Sequence, residues 1–160
     1  GFYGDINLTL NADDTFVRAV VGAQYKPTAK TYVLVEAYGQ SLGASEPSDY
    51  LQQAAGPRYR RGELVQLGRF YAALMGSYQW TPLLALSGAV LSNLEDPSLV
   101  LMPSINWNAA SNASLSIGCL GGFGDRPTVR VNARGDVQTT LGSEYGSAPF
   151  SVFVQGAFYF

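Results

Sequence analysis

The sequence predicts an all-β fold: an antiparallel, up-and-down transmembrane β-barrel with eight strands in a single domain, residues 1–160. Three observations carry the prediction. Apolar and polar residues alternate strictly in segment after segment, the period of a half-buried strand. The connections alternate between short turns and longer, more charged loops, the layout of a membrane barrel. Charged residues make up only 14% of the chain, against roughly 25% in an ordinary soluble domain, so something other than charge covers the outside.

In "FYGDINLTLN", Phe2, Ile6, Leu8 and Leu10 share one face, and Tyr3, Asp5, Asn7 and Thr9 the other. "FVRAVVGAQY" sets Val17, Ala19, Val21, Ala23 and Tyr25 against Arg18, Gly22 and Gln24. "TYVLVEAYGQ" sets Val33, Val35 and Ala37 against Glu36, Tyr38 and Gln40. After a polar excursion the pattern resumes at Leu67, with Phe70, Ala72, Leu74, Tyr78 and Trp80 opposite Arg69, Tyr71, Ser77 and Gln79. A fifth strand, "LLALSGAVLSN", follows Pro82; a sixth, "LVLMPSINWN", opposes Leu99, Leu101, Ile105 and Trp107 to Ser104, Asn106 and Asn108. "ASLSIGCLGGF" and the closing run from Phe150 to Phe160 complete the eight.

"YKPTAK", "WTPL" and "NAASNA" are tight-turn sequences. Gln40 to Val65 and Gly124 to Pro149 are long loops that hold most of the charge, and "NADDT" and "NLEDPS" are shorter links at the same end. Within the first long loop, "SEPSDYLQQAAGP" has a helix start, helix formers and a Gly-Pro stop, which predicts a small helix. The stretch from Phe70 to Leu91 is broken by Ser77, Gln79, Thr81 and Pro82, so it reads as two strands around a turn rather than a membrane-crossing helix. No basic or h-region-like leader stands at the N-terminus.

Alternation alone does not say which face meets what. The polar face is mostly Ser, Asn, Gln, Gly, Thr and Tyr, with Asp5, Arg18, Glu36 and Arg69 as its main charges, where the exterior of a soluble lipocalin-like barrel would carry many Lys and Glu. These four are therefore expected to face the lumen. Rings gather near the short turns and the C-terminus: Tyr25, Trp80, Trp107, Phe158 and Phe160. One-ended clustering of aromatics is expected of a membrane-interface girdle. Because lipid offers no hydrogen-bond partners, strands cross only within a closed barrel.

The terminal "FVQGAFYF", with Phe158 and Phe160 on one face, resembles the C-terminal assembly signal of Gram-negative outer-membrane barrels, although Gly156 stands one position later than the glycine usual there. "GRFYAALMGSYQWTPLL", "NLEDPSLVLMPSINWN", "NASLSIGCLGGFG" and "SEYG" are similar to the C-terminal half of larger, poorly characterised porin-like proteins of that membrane, from about Arg60 to the end. The resemblance implies residence in the outer membrane, contact with lipid bilayer and lipopolysaccharide, recognition by the barrel assembly machinery, and passive passage of small solutes. It also implies that the chain forms the last eight strands of a longer barrel or a complete one.

Histidine is absent and both lysines, Lys26 and Lys30, sit in one turn. Outer-membrane hydrolases and acyltransferases commonly use histidine as base or acid, so an enzyme is disfavoured. With one cysteine, Cys119, and no histidine, a zinc site is disfavoured too. The acids Asp13, Asp14, Glu95, Asp96 and Asp136 lie in outer loops, and read as solvated side chains or weak cation contacts. "YRRGE" with Arg126, Arg130 and Arg134 does not make a nucleic-acid groove in a chain of net charge −2. No cofactor is expected. Two membrane functions stay open: a porin-like wide barrel, and a closed eight-stranded anchor whose loops 41–63 and 124–148 bind a surface partner. A soluble lipocalin-like ligand binder is a distant third.

Overall fold

The alternating segments fold as one antiparallel meander. A computed structural model describes residues 1–10, 15–131 and 135–159. It comprises β1 (Phe2–Leu10), β2 (Thr15–Thr28), β3 (Thr31–Gln40), a 3-10 turn (Pro47–Asp49), α1 (Tyr50–Ala55), α2 (Pro57–Arg60), β4 (Phe70–Thr81), β5 (Leu84–Asn93), β6 (Ser98–Ala110), β7 (Ala113–Phe123), β8 (Thr128–Val131), β9 (Val137–Thr140) and β10 (Ser151–Phe158). Eight strands form one sheet in the order β1-β2-β3-β4-β5-β6-β7-β10, and β8 and β9 form a separate hairpin. Among the described residues the sheet is open: β1 pairs only with β2, and β10 only with β7.

Each short turn is reached through a shift of register. The ladder slips between Tyr25 and Thr28, between Gln79 and Thr81, and between Asn108 and Ala110. Pro27 falls inside the first of these, where a residue without an N–H is tolerated. At the second, the Thr81 hydroxyl accepts from the amides of Leu83 and Leu84 at 3.3 and 3.0 Å, closing the turn over Pro82. Such bulges increase local twist.

The registers carry the sequence alternation across all eight strands. Rows such as Val35 opposite Leu74, Leu74 opposite Val90, Val90 opposite Leu101, and Ile105 opposite Ile117 opposite Val154 keep one phase together. This face is bare: Val17, Leu74, Ile105 and Val154 are 40 to 65% exposed. The few buried apolar side chains, Phe16, Tyr50, Leu64, Leu67, Tyr71 and Val100, lie at the long-loop end, where residues 41–69 fold over the opposite, capped face.

Three expectations are corrected. Strand β4 begins at Phe70, not Leu67, because the amide of Arg69 is taken by the Glu95 carboxylate and its Nε by the Gly43 carbonyl, which hold residue 69 in the loop. Gly56-Pro57 stops α1 but also starts α2, since proline suits the first helical turn. The second long loop contains the β8–β9 hairpin, which the sequence reading did not foresee. Asp13, Asp14, Arg134 and Phe160 lie outside the described residues.

Each edge strand lays a ring on a glycine of its neighbour. Tyr3 lies opposite Gly22, and Phe153 opposite Gly118. A Cβ at Gly118 would come within 2.3 Å of the Phe153 ring. Gly118→Val should therefore destabilise the fold by about 1–3 kcal/mol through overpacking, measured by denaturant unfolding in detergent micelles. Gly76→Ala, whose added carbon would meet nothing closer than 3.7 Å, should leave the midpoint nearly unchanged.

Candidate functional site

The capped face has two parts, a polar knot beneath the loops and an open surface running from it to the short turns. Three chain segments meet in the knot: residues 41–69, the β5–β6 link and the segment after β9. Their junction is Asn93, the last residue of β5, whose side-chain amide contacts the Tyr50 hydroxyl at 2.9 Å, Asp96 Oδ2 at 3.2 Å and Glu144 Oε2 at 2.8 Å. Glu144 also accepts from the Tyr71 hydroxyl at 2.5 Å and the Leu67 amide at 2.8 Å. Asp96 accepts from the Ser98 hydroxyl and, at 2.9 Å, from the Glu144 amide. Gln40, closing β3, donates to the carbonyls of Gln66 and Gly68 at 3.0 and 2.7 Å.

Asp96 and Ser98 are buried and Tyr50 and Asn93 nearly inaccessible, so these bonds replace water that the groups have lost. The carboxylates are met by neutral donors, and this marks them as fasteners for the loops. Burial, followed by its hydrogen bond to Asp96, pushes the Tyr50 phenol well above the ordinary tyrosine range; burial and the nearby Glu144 charge do the same to Tyr145. Both phenols consequently stay protonated at neutral pH.

Below the knot the capped face divides by chemistry. On β1 to β3 it carries charge and phenols: the Tyr3 hydroxyl donates to Glu36, and that of Tyr32 to Gln24 at 2.9 Å. On β5 to β7 it is an uncharged ladder, in which Ser87 and Ser104 hydroxyls bond at 2.8 Å, Asn106 donates to Ser87 at 3.2 Å, and Ser116 donates to Asn106 at 2.7 Å. Where the loop strap crosses the strands, a cavity of about 330 Å³ opens between Val65 and Gln66 above and Val20, Glu36, Tyr38, Ala73 and Leu91 below.

Of the four predicted lumen charges, Asp5, Arg18 and Glu36 lie on the capped face, by the registers Asp5 opposite Val20, Asn7 opposite Arg18 and Gly22 opposite Glu36. Arg69 sits in the loop just above it. The structure does not pair them with one another. Among the described residues, the ion pair within 4 Å is Arg61 with Glu63, on the loop surface. Strand spacing explains this: the four are distributed over several strands and levels, and Glu36 and Arg69 are met by a phenol and a carbonyl instead.

Tyr25, Trp80, Trp107 and Phe158 stand on the bare face at the short-turn end, 47 to 72% exposed. Phe160 lies outside the described residues, so the assembly-signal reading rests structurally on Phe158, which pairs with Ala113 at the end of β10. A second aromatic row escaped the sequence reading. Phe70, Phe123 and Phe150 are exposed on the same face at the long-loop end. Their alternation phase was available, but they stand beside long loops whose start the sequence did not fix.

Compared with known proteins, the chain matches no family model, no curated protein and no solved structure.

Replacing Asn93 by Ala strips donors from two carboxylates and one phenol at once. Leaving buried polar groups unpaired costs about 1–3 kcal/mol. Trypsin cleavage after Arg58, Arg60 or Arg61 should then accelerate on the order of 10-fold, as local opening becomes easier. Asn108→Ala, at the other end of the sheet, should leave the rate unchanged.

Proposed function

We propose that this chain is a non-enzymatic sector of a porin-like barrel in the outer membrane of a Gram-negative bacterium, passing small solutes passively along the capped face. One observation carries the reading: across all eight strands of the sheet, no charged side chain lies on the bare face. The charged strand residues Asp5, Arg18 and Glu36 fall in the other phase, and Lys26 stands in the register shift that leads to the first short turn. A soluble sheet face of this extent, holding Ile6, Val21, Leu74, Ile105, Ile117 and Val154 open to water, would be an aggregation surface. In hydrocarbon the same face is at home.

The dimensions agree with a bilayer. Phe70 and Trp80 stand ten residues apart on β4, about 33 Å along a strand rising about 3.3 Å per residue. Tilted by about 40°, that distance spans roughly 25 Å of membrane normal, the height of an apolar band between two aromatic girdles. Strands of 8 to 14 residues suit this thickness.

The open edges bear on the barrel's width. Unpaired backbone groups in hydrocarbon cost several kcal/mol each, so the free sides of β1 and β10 need strand partners, and partners beyond these eight make a wider barrel. In it, Asp5 and Glu36 on the capped face, with the partly enclosed Arg18 guanidinium beside the loop cap, bias ion passage, while the Ser-Asn ladder offers uncharged hydrogen bonds to a passing solute. Lipopolysaccharide meets the Phe70, Phe123 and Phe150 row, and the assembly machinery engages the terminal strand.

A second reading is favoured by the knotted loops and by the β8–β9 hairpin, which exposes Val129, Val131 and Val137: a plugged anchor barrel binding a surface partner. Planar-bilayer recordings separate the two. Stable open currents, with cation preference raised in Arg18→Gln, are expected of the porin. Absence of current from heat-modifiable, folded protein would overturn it in favour of the anchor.

A further inference from the structure

The floor of the cavity beneath the loop strap consists of two neighbouring rows of the sheet. The row nearer the loops sets Val20 opposite Tyr38 and Tyr38 opposite Tyr71; the row nearer the turns sets Gly22 opposite Glu36, Glu36 opposite Ala73, and Ala73 opposite Leu91. Ala73 is short where its neighbours are long, and Val65 and Gln66 form a roof, so about 330 Å³ stays open. Ligand pockets run from roughly 300 to 1,000 Å³, which makes this a space for a small molecule.

The polar ends of its walls are already tied down. The Tyr71 hydroxyl donates to Glu144 and accepts from the Gly68 amide, each at 2.5 Å. The Tyr38 hydroxyl donates to Gln40 at 3.0 Å, and Gln40 is itself held by two strap carbonyls. With both hydroxyls engaged at the loop end, the two rings keep their places, 6.1 Å apart between centres and tilted by 48°. On the turn side, Glu36 accepts from the Tyr3 hydroxyl, whose ring lies against Gly22.

The lining thus combines aliphatic carbon, aromatic rings and one carboxylate. Among the described residues, no cation lies within ion-pair distance of Glu36. Arg18 and Lys26 each stand four residues along β2 from Gly22, about 13 Å at the usual strand rise. The Arg18 guanidinium lies further still toward the loops, over the Phe16 ring. Asp5, opposite Val20, adds a second negative charge to the same face. An anion would meet repulsion here, and an uncharged solute would leave the carboxylate unused. A cation with an apolar body suits every wall, because ring faces attract positive charge as a carboxylate does.

We propose that this cavity binds a small organic cation, an ammonium group carrying apolar substituents, with its charge beside Glu36 and its apolar body against Tyr38 and Tyr71. Walls fixed in advance spare part of the ordering cost of binding. The assignment rests on the cavity and its carboxylate, and holds for a conducting barrel and a plugged one alike.

The test is calorimetric titration of the folded, detergent-solubilised chain with benzyltrimethylammonium, at constant ionic strength and against empty micelles. Saturable binding is expected, weakened about 10-fold or more in Glu36→Gln, which removes the charge but keeps an oxygen for the Tyr3 hydroxyl. Tyr38→Leu, which removes a ring, should weaken it several-fold. Glu46→Gln, an equal loss of charge at an exposed loop position, should bind as the unaltered chain does. Benzenesulfonate, of similar size and opposite charge, should give no saturable heat. Absence of saturable heat with the ammonium in the unaltered chain, equal affinity in Glu36→Gln or in Tyr38→Leu, or equally tight binding of benzenesulfonate would each overturn the proposal.

Discussion

The structure depends on a partition by the strand period of two. On one face of the eight-stranded sheet no strand residue carries charge, and the antiparallel registers keep that phase in step from β1 through β7 to β10. A slip of one residue between any two strands would move charge or amide onto the bare face. The partition replaces a conventional core: burial is concentrated under the loops, and most large apolar side chains remain exposed. A sheet of this kind is stable only where its bare face meets something apolar and its edges meet other strands.

The loops supply what the sheet lacks. Asn93, Asp96 and Glu144 draw three segments together at one end, and Gln40 fastens the strap to β3 through two backbone carbonyls. Because Gln40 and Asn93 are strand ends and Asp96 and Glu144 are loop residues, the cap sits on the capped face without disturbing the alternation below it. The capped face between cap and turns stays polar and accessible, with charge on β1 to β3 and neutral hydroxyls and amides on β5 to β7. Arg18 lies where cap and strand surface meet, its guanidinium over the buried Phe16 ring.

The sheet itself was legible in the sequence. Alternation located all eight strands to within a few residues, because each strand has unlike faces and each turn has its own chemistry, as in "YKPTAK" and "WTPL". The phase of Asp5, Arg18 and Glu36 followed from the same pattern. The knot was not legible: Glu144 is far in sequence from Asn93 and Asp96, and both acids look like solvated loop residues until the fold brings them together. Arg69 was assigned to the strand because its phase matches Tyr71, whereas Glu95 and Gly43 hold it outside. The β8–β9 hairpin was hidden because "TVRV" and "VQTT" are too short to show a period.

The central claim is that hydrocarbon covers the bare face while water reaches the other. Nitroxide labels placed singly at Leu74 and Ile105, and at Ser87 and Asn106, in protein reconstituted into liposomes, read this from relaxation by oxygen and by a water-soluble nickel chelate. High oxygen and low nickel accessibility at Leu74 and Ile105, with the reverse at Ser87 and Asn106, is the result this account predicts. Equal nickel accessibility at all four positions would contradict it.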